Sequence, residues 1–311
     1  MDTQTHAKYE RLIERTRAIA PTPTVVVHPC DETSLMGAVE AAGLGIITPI
    51  LVGPRRKIEA VAEGCGADIA KFRLEDVPHS HAAAARGVEM IRAGEGALLM
   101  KGSLHTDELM HEVASSTTGL RTARRISHVF VMDVPTYADT LFITDAAINI
   151  FPDLDTKVDI VQNAIDLHVQ IGLGMPRVAI LSAVETVTTK IPSTIEAAAL
   201  CKMAERGQIT GGLVDGPLAF DNAIDPDAAR IKNIRGEVAG RAQILVVPDL
   251  EAGNMLAKNL TFLANADAAG LVVGARVPIV LTSRADSVRA RMASCAIAAL
   301  YAQSIPPIPG E

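Results

Sequence analysis

Short β-branched and aliphatic runs recur along the chain, each closed by Gly, Pro or a polar turn and followed by a helical stretch. This alternation is the pattern of βα units wound around a parallel sheet. In the amino half, residues 24–28, 46–52 and 97–100 read as strands, and residues 34–42, 56–63 and 81–93 as helices. Further on, strands are predicted over 126–134, 140–144, 177–182, 242–247, 271–273 and 277–281. Helices are predicted over 158–171, 194–206, 253–264 and 283–302. Composition agrees, because 49% of residues are hydrophobic while aromatics are only 3% and Trp is absent. Such a core must be built from Ala, Val, Ile and Leu, as in buried parallel strands covered by Ala-rich helices. A length of 311 residues favours two domains over one.

Several function classes are disfavoured. Mean hydropathy is positive, at +0.25, yet no apolar run approaches the roughly 20 residues a membrane-spanning helix needs. Residues 1–17 mix Lys8, Glu10, Arg11, Glu14 and Arg15, which reads as an amphipathic helix rather than a secretory signal and predicts a cytoplasmic protein. Cys30, Cys65, Cys201 and Cys295 stand apart from one another without metal-ligand spacing, and are expected as free, buried thiols. A net charge of −7 without a basic stripe argues against nucleic acid as a partner.

Ligands of parallel α/β sheets bind outside the carboxyl ends of the strands, so chemistry is sought in the residues just after each strand. Lys101, Ser103, His105 and Thr106 occupy a Gly-containing turn leading into a helix, a setting that suits an anion; the plainer reading is an ordinary helix cap. Thr144, Asp145 and Asn149 follow another strand. Asp215, Gly216, Pro217 and Asp221 are read as a tight turn before a helix start, where Gly-Pro lets a ligand approach the backbone. Asp249, Gly253 and Asn254 supply a further strand-turn-helix junction. Ser283 and Arg284, with Asp286 close behind, sit between a strand and the last helix, where a hydroxyl, a guanidinium fork and free amides can converge on one anionic oxygen. Arg121, Arg124 and Arg125 form a basic cluster that can edge a site or be solvated surface.

The strings VDGPLAFDNAI, VAGRAQILVVPDLEAGNMLAKNL and GLVVGARVPIVLTSRADS, with MKGSLHT upstream, together resemble the phosphate acetyl/butyryltransferase family. The resemblance covers nearly the whole chain and leans to the butyryltransferase-like branch. It implies two three-layer α/β domains with a cleft between them, on a fold like that of isocitrate and isopropylmalate dehydrogenases. Residues 1–140 with 280–311 would form the domain holding both termini, and 141–279 the other. The implied reaction is acyl-CoA plus phosphate giving acyl phosphate plus CoA through a ternary complex. Coenzyme A would be a substrate, with no tightly bound cofactor, no metal and no membrane partner, in a homodimer or larger homo-oligomer.

By the same resemblance Ser283 lies near the reacting carbonyl, Arg284 on phosphate, and the Ser103–Thr106 turn faces substrate. The carboxylate proposed as base in the acetyltransferases falls seven residues after that Ser, where this chain has Ala290. Asp286 is the nearest replacement, and Asp145, Asp215 and Asp221 stay open. Two other readings stand beside this one: an NAD-dependent dehydrogenase on the same fold, with Asp221 and Asp249 imitating a metal set, and a non-catalytic acyl-CoA-binding protein.

Overall fold

The computed structural model describes residues 7–281 and 287–305. They fall into two compact units. Arg125–Ala268 make a central unit, and the described residues of Ala7–Arg124 and Ala269–Glu311 make the other, here called the N-terminal unit.

The N-terminal unit begins with α1 (Ala7–Arg15) and runs through β1 (Thr22–Val27), α2 (Glu32–Gly43), β2 (Ile47–Gly53), α3 (Arg55–Cys65), β3 (Arg73–Asp76), α4 (Ser80–Arg92), β4 (Leu98–Lys101) and α5 (Thr106–Ala114). The central unit carries β5 (Ser127–Asp133), β6 (Leu141–Thr144), α6 (Leu154–Gln170), β7 (Arg177–Leu181), α7 (Pro192–Glu205), β8 (Leu213–Leu218), α8 (Phe220–Ile224), α9 (Pro226–Ile231), β9 (Ile244–Val246) and α10 (Leu250–Leu263). Across β10 (Asp267–Val273) the chain passes back to the N-terminal unit, which it completes with β11 (Ile279–Val280) and α11 (Val288–Ala302).

In the N-terminal unit the strand order is β3-β2-β1-β4-β11-β10. All neighbours are parallel except β10 with β11. The register pairs Val27 with Lys101 and Met100 with Val280, so β1, β4 and β11 end level along one edge. The order in the central unit is β5-β6-β9-β7-β8, antiparallel only between β5 and β6. Here Thr144 and Ile180 both pair with Val246, which brings the carboxyl ends of β6, β9 and β7 to one level.

Interior strands are apolar throughout, as strands covered on both faces must be: Val25, Val26 and Val27 in β1 and Leu98, Leu99 and Met100 in β4 are fully buried. Helix α11 is buried nearly all round, through Ala290, Met292, Ala293, Cys295, Ala296, Ile297, Ala298 and Ala299, as expected of a helix inside a core rather than on its surface. Among the described residues no helix is long and apolar enough to cross a membrane.

Among the differences between the sequence reading and the structure, three are instructive. Residues 213–218 are not a turn but strand β8, holding Asp215, Gly216 and Pro217 within it. β8 pairs only with β7, at the end of the central unit's order, where a residue lacking an N–H is tolerated. β3, with the sequence RLED, is too polar and too short for its pattern to be read; it lies at the end of the other strand order. Helix α10 starts at Leu250 rather than Gly253, because Asp249 caps it by accepting the Ala252 N–H at 2.9 Å.

The fully buried Tyr9 of α1 accepts the N–H of Ala269 on its hydroxyl at 2.7 Å. Tyr9→Phe strips that buried amide of its acceptor, and it should lower unfolding free energy by about 1–3 kcal/mol. Urea titration followed by circular dichroism measures this, and an unchanged midpoint would refute the assigned role.

Candidate active site

The N-terminal unit builds a compact polar cluster where β1 and β4 end. The Gly102 N–H donates to the Val27 carbonyl at 2.8 Å, and the Ser103 N–H to the His28 carbonyl at 2.9 Å. This backbone approach demands glycine: a Cβ on Gly102 would lie 2.5 Å from the His28 carbonyl oxygen and closer still to that of Val27. The Ser103 hydroxyl is fully used. It donates to the His28 carbonyl at 2.9 Å, accepts the Cys30 N–H at 3.2 Å, and meets His28 Nδ1 at 3.1 Å. Ser103 thus joins the βα turns of two strands, β1 and β4, that are neighbours in the sheet. His105 precedes α5 without a side-chain cap, Thr106 is its first residue, and Lys101 Nζ reaches the Gly102 carbonyl at 3.3 Å.

A second cluster sits at the carboxyl ends of β6 and β9 in the central unit. Asp145, only 2% exposed, accepts the N–H groups of Ala147 (2.9 Å) and Ile148 (3.0 Å) on one oxygen. Its other oxygen takes the backbone N–H and side-chain amide of Asn149, at 3.1 and 2.6 Å. Four donors organise the turn around this carboxylate. Asn149 also donates to the Ile126 carbonyl (2.9 Å), while Thr144 Oγ1 donates to the His128 carbonyl at 2.7 Å. Burial pushes the His128 imidazole down to about 4, against the opposing pull of Asp145. Helix α10 closes on the same turn. Asn254 Nδ2 donates to the Ala146 carbonyl at 3.3 Å, and a Cβ on Gly253 would stand 2.9 Å from the Asp145 carbonyl oxygen. The structure therefore brings together Thr144, Asp145, Asn149, Gly253 and Asn254, with Asp249 capping the helix that supplies the last two.

Asp215 and Asp221 do not join that group through any contact described. Asp215 accepts the Gly216 N–H at 2.9 Å within β8, and Gly216 packs so tightly that a Cβ would meet the Ile180 carbonyl oxygen at 2.7 Å; the Gly216–Pro217 bond is cis. Asp221 is exposed and pairs with Lys232 at 3.2 Å, which also reaches Glu185 at 3.5 Å. Arg121 is exposed beside Ala275, Arg124 is half-buried, and Arg125 belongs to the central unit, its N–H donated to Asp159 at 3.0 Å. Ser283, Arg284 and Asp286 lie outside the described residues.

The sequence reading missed His28. Its signal was a histidine directly after a Thr-Val-Val-Val run, at the strand end where ligands collect. Three of the four cysteines, all free thiols, share one property. Burial pushes the thiols of Cys30 up to about 11 and of Cys201 and Cys295 up to about 12, which keeps them protonated and poor nucleophiles.

Two α/β units with polar clusters at the carboxyl ends of parallel strands define a small-molecule enzyme architecture. Residues 80–299 match the family model described as phosphate acetyl/butaryl transferase. The chain belongs to this acyltransferase family. It is 77% identical over 296 residues to a phosphate acetyltransferase of Rhizobium meliloti, covering 95% of this chain and 94% of that one. A branched-chain phosphotransacylase from Enterococcus faecalis V583 superposes with a TM-score of 0.79 at 28% identity, over 90% of this chain and 99% of its own. A 4-hydroxythreonine-4-phosphate dehydrogenase from Burkholderia phymatum shares the fold alone, with a TM-score of 0.51 at 13% identity, over 91% and 98% of the two chains. The fold is thus the dehydrogenase-like α/β class expected from the sequence, put to acyl transfer.

Two substitutions test the second cluster. Asp145→Asn turns an NH₂ toward donors that need an acceptor, and should cost about 2–3 kcal/mol of stability in urea. Gly253→Ala reverses the usual gain of about 1 kcal/mol for Ala over Gly in a helix, because the new methyl meets backbone; a Tm at or above that of the wild type would show that α10 is free to shift.

Proposed function

We propose that this chain catalyses reversible transfer of a short acyl group between coenzyme A and inorganic phosphate, with acetyl the preferred group. The observation that carries the reading is the 77% identity, across 95% of the chain, to a protein named phosphate acetyltransferase. Butyryl and branched acyl groups are the competing substrates, since the matching family spans acetyl and butyryl transfer and the structural relative is named for branched chains.

Coenzyme A acts here as a substrate rather than a resident cofactor, and both substrates bind before transfer. Two properties support direct transfer: the protonated state favoured for three of the four thiols, and the complete occupation of the Ser103 hydroxyl by structural hydrogen bonds. Neither supplies an activated nucleophile of the kind a covalent acyl-enzyme requires. Ser283 is assigned to the carbonyl oxygen, where one preorganised donor is worth about 10²–10³ in rate. Arg284 is assigned to phosphate, whose oxygens its planar fork matches. The protein works as a cytoplasmic homodimer or larger homo-oligomer.

The test is release of CoA from acetyl-, propionyl- and butyryl-CoA, followed with a thiol reagent in the presence and absence of phosphate, without nicotinamide. Phosphate-dependent release with formation of acyl phosphate, fastest for acetyl, is expected. Release indifferent to phosphate, or none with any acyl group, would overturn the reading.

A further inference from the structure

His28 is an unusual residue to find where it stands. Its backbone has φ +55°, in the left-handed region that glycine and asparagine occupy at least cost. Its side chain is nevertheless held. The Ser103 hydroxyl donates to the His28 carbonyl and shares the Cys30 N–H with that same carbonyl, at 3.2 and 2.8 Å respectively. What remains for the His28 ring, 3.1 Å away at Nδ1, is an acceptor lone pair. With the Ser103 proton on that carbonyl, the ring is the Nδ1–H tautomer, donating to Ser103 and leaving Nε2 as an acceptor. No described residue bonds Nε2. This is the arrangement in which a fixed partner on one ring nitrogen readies the other for proton transfer.

Its place on the sheet adds to this. His28 follows Val27, which pairs with Lys101; Met100 pairs with Val280, which precedes Leu281. The imidazole thus stands at the edge where β1, β4 and β11 all end. Within the central unit Asp145 is engaged by four donors, Asp221 by Lys232 and Asp215 by the Gly216 N–H. Ala290, where the family pattern would place a carboxylate, is buried in the first turn of α11, its N–H donated to Ser287.

We propose that His28, aligned by Ser103, is the group that carries the thiol proton in acyl transfer; the proposal rests on the acyltransferase reading above. In the CoA-acylating direction the sulfur attacks the acyl phosphate carbonyl and Nε2 takes the S–H proton. The C–S bond forms, the C–O bond to phosphate breaks, and the proton passes to the departing phosphate, which leaves as hydrogen phosphate. In reverse, Nε2 takes the proton from hydrogen phosphate and returns it to the departing thiolate. Burial lowers the affinity of His28 for a second proton, with Lys57 acting in the same sense and Glu108, Asp31 and the residue's own backbone opposing it; Lys101 stands on the adjacent strand, and the nearby Cys30 thiol is neutral. The ring is consequently neutral near pH 7, and activity requiring it falls as pH drops through a value below the ordinary 6.5.

Two variants test the proposal in the full-length protein, both chosen to keep the left-handed backbone. His28→Asn should lower kcat about 10²-fold at pH 7, within the range typical of one acid–base group, and should lose the acid limb of the pH–rate profile. His28→Gly should show the same loss and regain rate with added imidazole, a response that a purely structural role would not give. Melting temperatures near that of the wild type establish that both variants are folded. A folded His28→Asn enzyme that keeps the wild-type acid limb, or a folded His28→Gly enzyme that imidazole does not rescue, overturns the assignment to His28. Wild-type protein without phosphate-dependent activity overturns the acyltransferase reading instead.

Discussion

Backbone groups at the carboxyl ends of parallel strands have left the ladder and still need partners, and the way this chain supplies them governs its loops. In the N-terminal unit the partners are other loop groups. Gly102 and Ser103 donate their amides to the last carbonyls of the neighbouring turn, and the Ser103 hydroxyl binds that turn twice more. A buried amide left without an acceptor costs about 1–3 kcal/mol, so each of these contacts restricts where the loop can go. The central unit reaches the same end differently, with one carboxylate, Asp145, gathering three amides of its own turn. Loops held this way keep their shape without substrate, which is the preorganisation that transfer between two bound reactants demands.

Small residues make such closeness possible. Gly102 and Gly253 each stand where a methyl group would strike a carbonyl oxygen, and α11 fits into its core chiefly through alanines. The near absence of aromatics follows: bulky rings would hold helices and strands farther apart than these backbone contacts allow. A core of this kind gains less per residue from burial than one rich in aromatic rings, and it recovers stability through the number of close contacts between its elements.

The sequence disclosed the fold far better than the site. Strands such as Thr22–Val27 and Ile47–Gly53 were legible because interior parallel strands must be apolar on both faces. β3 was not, since a strand at the end of the order can be as polar as RLED. β8 was misread because Asp-Gly-Pro normally marks a turn, whereas here Gly216 serves close packing and Pro217 is tolerated beside a single partner strand. The same ambiguity affected the polar residues. Asp145, Ser103 and Asp249 stood at the right strand ends, but sequence alone does not tell a side chain that meets substrate from one that meets the backbone of its own loop. Here all three meet backbone. His28 escaped notice because, read as the last residue of a strand, it looked like part of the sheet.

The departure at Ala290 then acquires a physical meaning. Acyl transfer from phosphate to a thiol needs a proton acceptor, because a thiol of ordinary pKa is only a few per cent thiolate at pH 7. A buried alanine cannot act as that acceptor, and the Asp145 carboxylate is committed to the donors of its own turn. An imidazole that is neutral at pH 7, fixed at one nitrogen and bare at the other, meets the need at the end of β1. Because its conjugate acid is far more acidic than hydrogen phosphate, it gives the proton up readily to the departing phosphate. That ease of return suits a reaction that must run in both directions.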